Sequence, residues 1–127
     1  MQPILIDACG WVAIIDSKMN IDSELARMFG PCSFLLLQSV EDELIQLNQQ
    51  RPRKKNLLLS LLIQKSERIE PLNLKSAHPD DQLMALAEEF GHPVLTVDIE
   101  LKRRLYEQGT HIIEVTKNQR LKKIEGI

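Results

Sequence analysis

The sequence predicts an α/β fold in which a mostly parallel sheet is covered by helices. Short apolar runs alternate along the chain with segments whose apolar residues recur at helical spacing. The runs, such as Ile4-Leu5-Ile6 and Val94-Leu95-Thr96-Val97, are apolar on both faces. Strands look like this when helices cover both sides of a parallel sheet. Acids close two of the runs, Asp7 the first and Asp98 the second. In open α/β sheets, ligands bind beyond the carboxyl ends of the strands.

The elements follow in order. Residues 2–6 read as a buried strand. Residues 11–19 read as a helix carrying Trp11, Val12, Ile14 and Ile15. Asp22 or Ser23 is placed to cap a short helix with Leu25, Met28 and Phe29, which Gly30-Pro31 ends. Residues 33–37 form a second buried strand. Ser39 is a suitable N-cap with Asp42 three residues on, and Val40, Leu44 and Leu47 stripe the helix that runs to about residue 49. Residues 50–55 form a basic turn around Pro52, before a helix with Leu57, Leu58, Leu61 and Leu62. Ile69 marks a short third strand. Pro79 sits well at the first position of a helix with Leu83, Leu86, Ala87 and Phe90 in its stripe, stopped by Gly91. Strand 94–97 leads to a helix over 99–108 that Gly109 ends, then to a final strand with Ile112, Ile113 and Val115.

No repeat, low-complexity segment or linker interrupts this pattern. With 127 residues the chain suits one domain over 1–127, closed by a basic C-terminal tail over about 117–127. Aromatics are only 4% of the chain, so Leu, Ile and Val must fill the core, and a stacking surface for single strands is poorly supplied. Cys9 and Cys32 lie in no metal-binding spacing and read as two small buried residues in a reducing compartment. Asp7 comes too early for a signal peptide, and the longest apolar stretch, 57–63, is far too short to span a bilayer. A cytoplasmic protein with no membrane partner is expected. The net charge of −2 conceals a division. Setting aside four candidate site acids leaves 14 acids against 16 bases, and the bases cluster. Arg51, Arg53, Lys54 and Lys55 form one group, Lys102, Arg103 and Arg104 another, and Lys117, Arg120, Lys122 and Lys123 a third. Together they fit an anionic polymer passing an acidic centre.

The four acids are Asp7, Glu43, Asp81 and Asp98. Glu43 lies three residues after Val40 and four before Leu47, which places it on the core-facing side of its helix. Buried carboxylates need a partner. Asp80 and Asp81 share the first turn of their helix, where both favour the macrodipole, and spacing does not separate them. Asp98 is placed to cap the next helix and still face a ligand. Asp7 has no comparable capping role, because Cys9-Gly10 parts it from the next helix. Glu100 is a further acid beside the group. Oxygen-only clusters suit Mg²⁺ or Mn²⁺, so the acids point to metal-dependent phosphodiester chemistry. There is no GxxxxGK[ST], GxGxxG, GxSxG or HExxH, which removes the usual nucleotide-binding, triad-hydrolase and zinc-protease readings.

These motifs resemble those of the PIN-domain nucleases. The residues are Ile4-Leu-Ile-Asp7, Val40-Glu-Asp-Glu43-Leu44, Asp81-Gln-Leu-Met-Ala-Leu-Ala87, and Leu95-Thr96-Val97-Asp98 followed by Glu100-Leu101 and Lys102-Arg-Arg. The resemblance covers essentially the whole chain, and it selects Asp81 over Asp80. It implies a three-layer α/β/α domain with a twisted, mostly parallel sheet, and Mg²⁺- or Mn²⁺-dependent cleavage of RNA. Asp7 and Asp98 would bind metal, Glu43 and Asp81 would complete the set, and Thr96 would hydrogen-bond a site carboxylate or water. The bases at 51–55 and 102–104 would hold the phosphate backbone. The family commonly has Thr or Ser and then Asn after the first Asp, where this chain has Ala8 and Cys9; Val97 stands where Asn is frequent. Those departures motivate an alternative, an RNA-binding or scaffold module with little or no turnover. A receiver-like or phosphatase domain is disfavoured, since no Lys ends the last strand. The resemblance also implies a toxin paired with an antitoxin, or an RNA-processing enzyme with a ribosome-assembly partner. A homodimer is a further expectation, with Trp11, Phe29 and the 57–63 helix as its apolar surface.

Overall fold

Ile4, Leu5 and Ile6 are fully buried and form the middle of a six-stranded sheet, as the unbroken apolar run requires. The computed structural model describes residues 1–49, 53–72, 75–116 and 120–126, with the side chains of 48 and 53–58 outside that description. In chain order the elements are β1 (Gln2–Ile6), α1 (Ala8–Ser17), α2 (Ile21–Phe29), β2 (Cys32–Leu37), α3 (Gln38–Asn48) and α4 (Arg53–Lys65). They continue with β3 (Glu67–Ile69), α5 (Pro79–Phe90), β4 (Val94–Leu95), α6 (Ile99–Gln108), β5 (Ile112–Val115) and β6 (Leu121–Ile124). The strand order is β3-β2-β1-β4-β5-β6, parallel except for β6 against β5. Helices pack in two groups, α1 with α3 and α4, and α5 with α6, which gives the three-layer architecture expected.

This order positions the site. From β1 the chain winds out through β2 to β3, then returns to the other side of β1 as β4 and continues to β5. The direction of winding reverses between β1 and β4, and such a reversal leaves a crevice at the carboxyl ends of the two strands. The register pairs Leu5 with Val94 and Ile6 with Leu95. The next residues, Asp7 and Thr96, therefore leave the sheet side by side.

Several local expectations are corrected. The first helix begins at Ala8 rather than residue 11, with Asp7 as its N-cap accepting from Gly10 N–H. Asp7 thus has the capping role that Cys9-Gly10 seemed to deny it. Asn20, not Asp22 or Ser23, caps α2. Ser39 caps nothing; its hydroxyl donates to Gln82 Oε1 at 2.6 Å, which ties α3 to α5. Helix α4 starts at Arg53, within the segment expected as a basic turn, and Arg51 and Pro52 lie outside the described residues. Strand β4 is two residues long instead of four. The expected tail contains β6, which pairs Leu121 with Val115 and Ile124 with Ile112 along the sheet edge. The loop from Asp98 onward keeps its predicted form, with α6 capped by Asp98 and closed by Gly109 in the left-handed region.

Trp11 is fully buried, edge-on to Phe34 at 5.8 Å between centroids, so it belongs to the core and supplies no dimer surface. Phe29 packs against the same core. In the 57–63 segment, Leu59 is buried while Leu61 is exposed. Both cysteines are free, and Cys9 is exposed rather than buried. No helix among the described residues is long and apolar enough to cross a membrane.

Candidate functional site

Asp7 is the anchor. It is 5% exposed, and every oxygen of its carboxylate is held. Oδ1 accepts from the Gly10 N–H at 2.7 Å, and Oδ2 accepts from the Thr96 hydroxyl at 2.6 Å. Gly10 is required by this closeness. A Cβ there would stand 2.5 Å from the Leu95 carbonyl oxygen and 2.9 Å from Asp7 Oδ1, so only glycine lets α1 start against β4. Sequence reading missed Gly10, although its place three residues after Asp7 is the spacing of an N-cap acceptor and its donor.

Thr96 is fully buried at the end of β4 and joins two acids. Its hydroxyl donates to Asp7, and the same oxygen accepts the Asp98 N–H at 3.1 Å. Asp98 uses Oδ1 to accept the Leu101 N–H at 2.9 Å, which caps α6. Of the two partners expected for Thr96, a carboxylate or a water, the structure gives it the Asp7 carboxylate.

The acids of α5 divide. Asp80 N–H donates to His78 Nδ1 at 3.1 Å; the Asp80 charge is felt at Asp7, and the Asp98 charge is felt at Asp80. Asp81 has partners of its own. Its Oδ1 accepts from Arg104 Nη2 at 2.8 Å and its Oδ2 from the Ser76 hydroxyl at 2.6 Å. Ser76 and Arg104 hold the Asp81 carboxyl below its ordinary range. The structure therefore brings Asp80 to the acids at the strand ends and sets Asp81 beside them in an ion pair.

Glu43 is exposed at the rim, not aimed into the core. Helix α3 is rotated from the expected stripe: Val40, Glu41 and Leu44 are buried, while Leu47 is 45% exposed. The inward acid is Glu41, which pairs with Arg68 from β3. Glu43 still belongs to the neighbourhood of the site, because its charge acts on Cys9 together with those of Asp7, Asp98 and Asp80.

The electrostatics follow from this crowding. Burial pushes the Asp7 carboxyl up to about 6; its hydrogen bonds from Thr96 and Gly10 oppose that, and the charges of Asp80 and Asp98 add to it. Burial also raises Asp80, and the Asp98 and Asp81 charges act in the same direction against His78 and Arg104. The Cys9 thiol is pushed up to about 11, by desolvation first and then by the four surrounding acids. It is consequently a poor nucleophile. Among the described residues, no three His, Cys, Asp or Glu side chains converge closely enough to hold an ion between them.

Of the basic residues expected to bind RNA, the three on α6 are paired with acids. Lys102 pairs with Glu114 at 2.6 Å, and Arg103 pairs with Glu100 and Glu107. Glu100 therefore faces Arg103 on the exposed side of α6. Arg104 pairs with Asp81 but keeps more than a third of its side chain exposed. The side chains of Arg53, Lys54 and Lys55 lie outside the described residues, as does Arg51.

Comparison with known proteins agrees with this architecture. A model of the PIN-like domain family matches residues 4–118. Among solved structures, the chain resembles the PIN domain endonuclease Utp24, with a TM-score of 0.78 at 18% identity over 98% of this chain and 94% of that one. At that identity the likeness is one of fold. A search of curated proteins finds no match. Since the family model spans nearly all of the sheet and every acid of the crevice, the chain belongs to the PIN-like domain family.

Proposed function

We propose that this protein is a ribonuclease that hydrolyses RNA phosphodiester bonds with Mg²⁺ or Mn²⁺ held at its carboxylates. The observation that carries the reading is the placement of Asp7 and Asp98 at the ends of adjacent strands β1 and β4, joined through the Thr96 hydroxyl, with the charge of Asp80 felt at Asp7. The donor set fits a hard divalent cation. All candidate donors are carboxylate oxygens, and the acids raise one another's proton affinity, which a cation would relieve. A bound ion would supply Lewis-acid activation of water and neutralise charge on the phosphate. Asp7 and Asp98 would hold it, and Asp80 and Glu43 would have to draw in around the ion to complete the set, since among the described residues no three such groups already lie close enough. Family membership supports the nuclease reading, and the structural relative is itself an endonuclease.

The chain's own residues preorganise this centre. Thr96 and the Gly10 N–H fix the Asp7 carboxylate from two sides, so the absence of polar side chains at Ala8 and Cys9 leaves it oriented. Ala8 is itself buried. The α6 cap fixes Asp98 by one oxygen, and Asp98 Oδ2 takes no hydrogen bond from a described residue. These constraints favour an active enzyme over the scaffold alternative. RNA would pass the mouth between the amino ends of α5 and α6, where the charge of Arg104 reaches Asp80 and Glu100.

The test is cleavage of single-stranded and hairpin RNAs by purified protein with Mn²⁺, Mg²⁺ or EDTA, alongside Asp98→Asn and Asp80→Asn. Metal-stimulated cutting that drops at least a hundredfold in both variants is expected. RNA binding without metal-stimulated cutting would replace this reading with the scaffold module.

A further inference from the structure

We propose that Asp81 is a positioning residue that holds Arg104 as a phosphate clamp at the edge of the carboxylate crevice. The inference rests on the nuclease reading for its substrate, and it gives Asp81 a different task from that of a metal ligand.

The chain of contacts is specific. His78 N–H donates to Ser76 Oγ at 3.2 Å, Ser76 Oγ donates to Asp81 Oδ2 at 2.6 Å, and Asp81 Oδ1 accepts from Arg104 Nη2 at 2.8 Å. The loop before α5, the first turn of α5 and the middle of α6 are thereby locked together. Each oxygen of Asp81 has a partner, Ser76 for one and Arg104 for the other. Asp80, one residue earlier, is the acid of the pair whose charge acts on Asp7 and which feels the charge of Asp98.

Arg104 is the beneficiary. A guanidinium has five N–H donors, and the Asp81 contact uses one of them. The rest of the group is partly exposed, and its charge is felt by both Asp80 and Glu100. A partly exposed guanidinium whose charge reaches the acid next to Asp81 is placed to meet a phosphate that approaches those acids. Lys102 and Arg103 are each engaged with acids pointing elsewhere. A planar fork with donors to spare suits a phosphate, and an anchored one loses less freedom on binding. The anchoring acid also explains why two adjacent aspartates open α5: one faces the crevice, and the other faces the arginine.

A double-mutant cycle tests this. Wild type, Asp81→Asn, Arg104→Ala and the double variant are compared for KM and kcat on one RNA, for the Mn²⁺ concentration giving half-maximal rate, and for RNA Kd. Arg104→Ala is expected to raise KM about tenfold and Asp81→Asn about fivefold. The half-saturating Mn²⁺ should stay within twofold. The double variant should match Arg104→Ala, because Asp81 acts through Arg104. Arg104→Lys should recover only part of the loss. A collapse of kcat with a raised Mn²⁺ requirement in Asp81→Asn would make Asp81 a metal ligand and overturn the proposal; multiplying effects in the double variant would overturn it equally. Should wild type bind RNA without cutting it, the nuclease reading fails, and the same cycle read in Kd still decides the clamp. A Kd indifferent to both substitutions would remove it.

Discussion

Replacing Asp7 by Asn should make the metal-free protein more stable, although it removes a carboxylate from the centre of the site. Asp7 is buried, and its carboxyl is raised from 3.8 to about 6. At 1.36 kcal/mol per tenfold change, that rise is equivalent to about 3 kcal/mol of preference for the neutral form. The sign follows from linkage. Between about pH 4 and pH 6 the folded protein binds more protons at Asp7 than the unfolded chain does, so stability falls as pH rises through that window. Above it, the whole of that contribution has been lost. Asn carries no charge and is a good N-cap, so it keeps the Gly10 contact. Its amide must face the Thr96 hydroxyl, which then has to turn, and that rearrangement costs about 1 kcal/mol. The net gain at pH 7.5 in EDTA is about 2 kcal/mol, or roughly 6–10 °C in Tm for a chain of this size. The assay is thermal and urea unfolding of both proteins from pH 4 to pH 7.5. The difference between them should shrink toward pH 4 and reach its plateau above pH 6. Addition of Mn²⁺ should stabilise the wild type by mass action and leave Asp7→Asn nearly unmoved. An Asp7→Asn protein that melts at or below wild type at pH 7.5 in EDTA would refute the burial argument.

Two further substitutions test the same corner of the fold. Gly10→Ala places a Cβ 2.5 Å from a backbone oxygen that cannot step aside, and it should lower stability by about 2 kcal/mol or more, read as a urea midpoint shift at constant slope. Thr96→Val keeps the shape but leaves Asp7 Oδ2 and the Asp98 N–H without their shared partner. It should cost about 2–3 kcal/mol at pH 7.5 and less near pH 4, where the Asp7 carboxyl is neutral; equal costs at the two pH values would show that the hydroxyl does not serve the charged form.

The fold was legible because its strongest signals were redundant. The buried strands β1, β2 and β4 lie in apolar runs, and Pro79, Gly91 and Gly109 punctuate α5 and α6 where their backbone chemistry requires it. The misplaced boundaries have physical causes. Helix α1 was placed late because Gly10 reads as a breaker, whereas here its missing side chain is what allows the helix to touch β4. Strand β6 escaped notice because an antiparallel edge strand needs only one apolar face. Its Lys122 and Lys123 are exposed, and a charged edge of this kind resists pairing with another chain. Leu47 misled the reading of α3, since its place in a stripe gave no sign that the helix end leaves the core there.

The site was legible to the level of its strand ends and not beyond. Asp7 and Asp98 announce themselves by closing apolar runs, and Thr96 by interrupting the run Val94-Leu95-Thr96-Val97 with a hydroxyl just beyond β4. The helical acids carry no such mark. On α3 the pattern pointed to Glu43, while the buried acid, Glu41, serves Arg68 and the edge of the sheet. On α5 two consecutive aspartates lie about 100° apart around the helix, so both satisfy the same macrodipole while facing different surroundings. What separates them lies far away in sequence. Arg104, 23 residues on, and Ser76 in the preceding loop claim Asp81, which leaves Asp80 as the member of the pair facing the crevice. A carboxylate at a helix start is defined by the partners that reach it, and for this protein that distinction decides which aspartate acts on Asp7 and which holds the arginine.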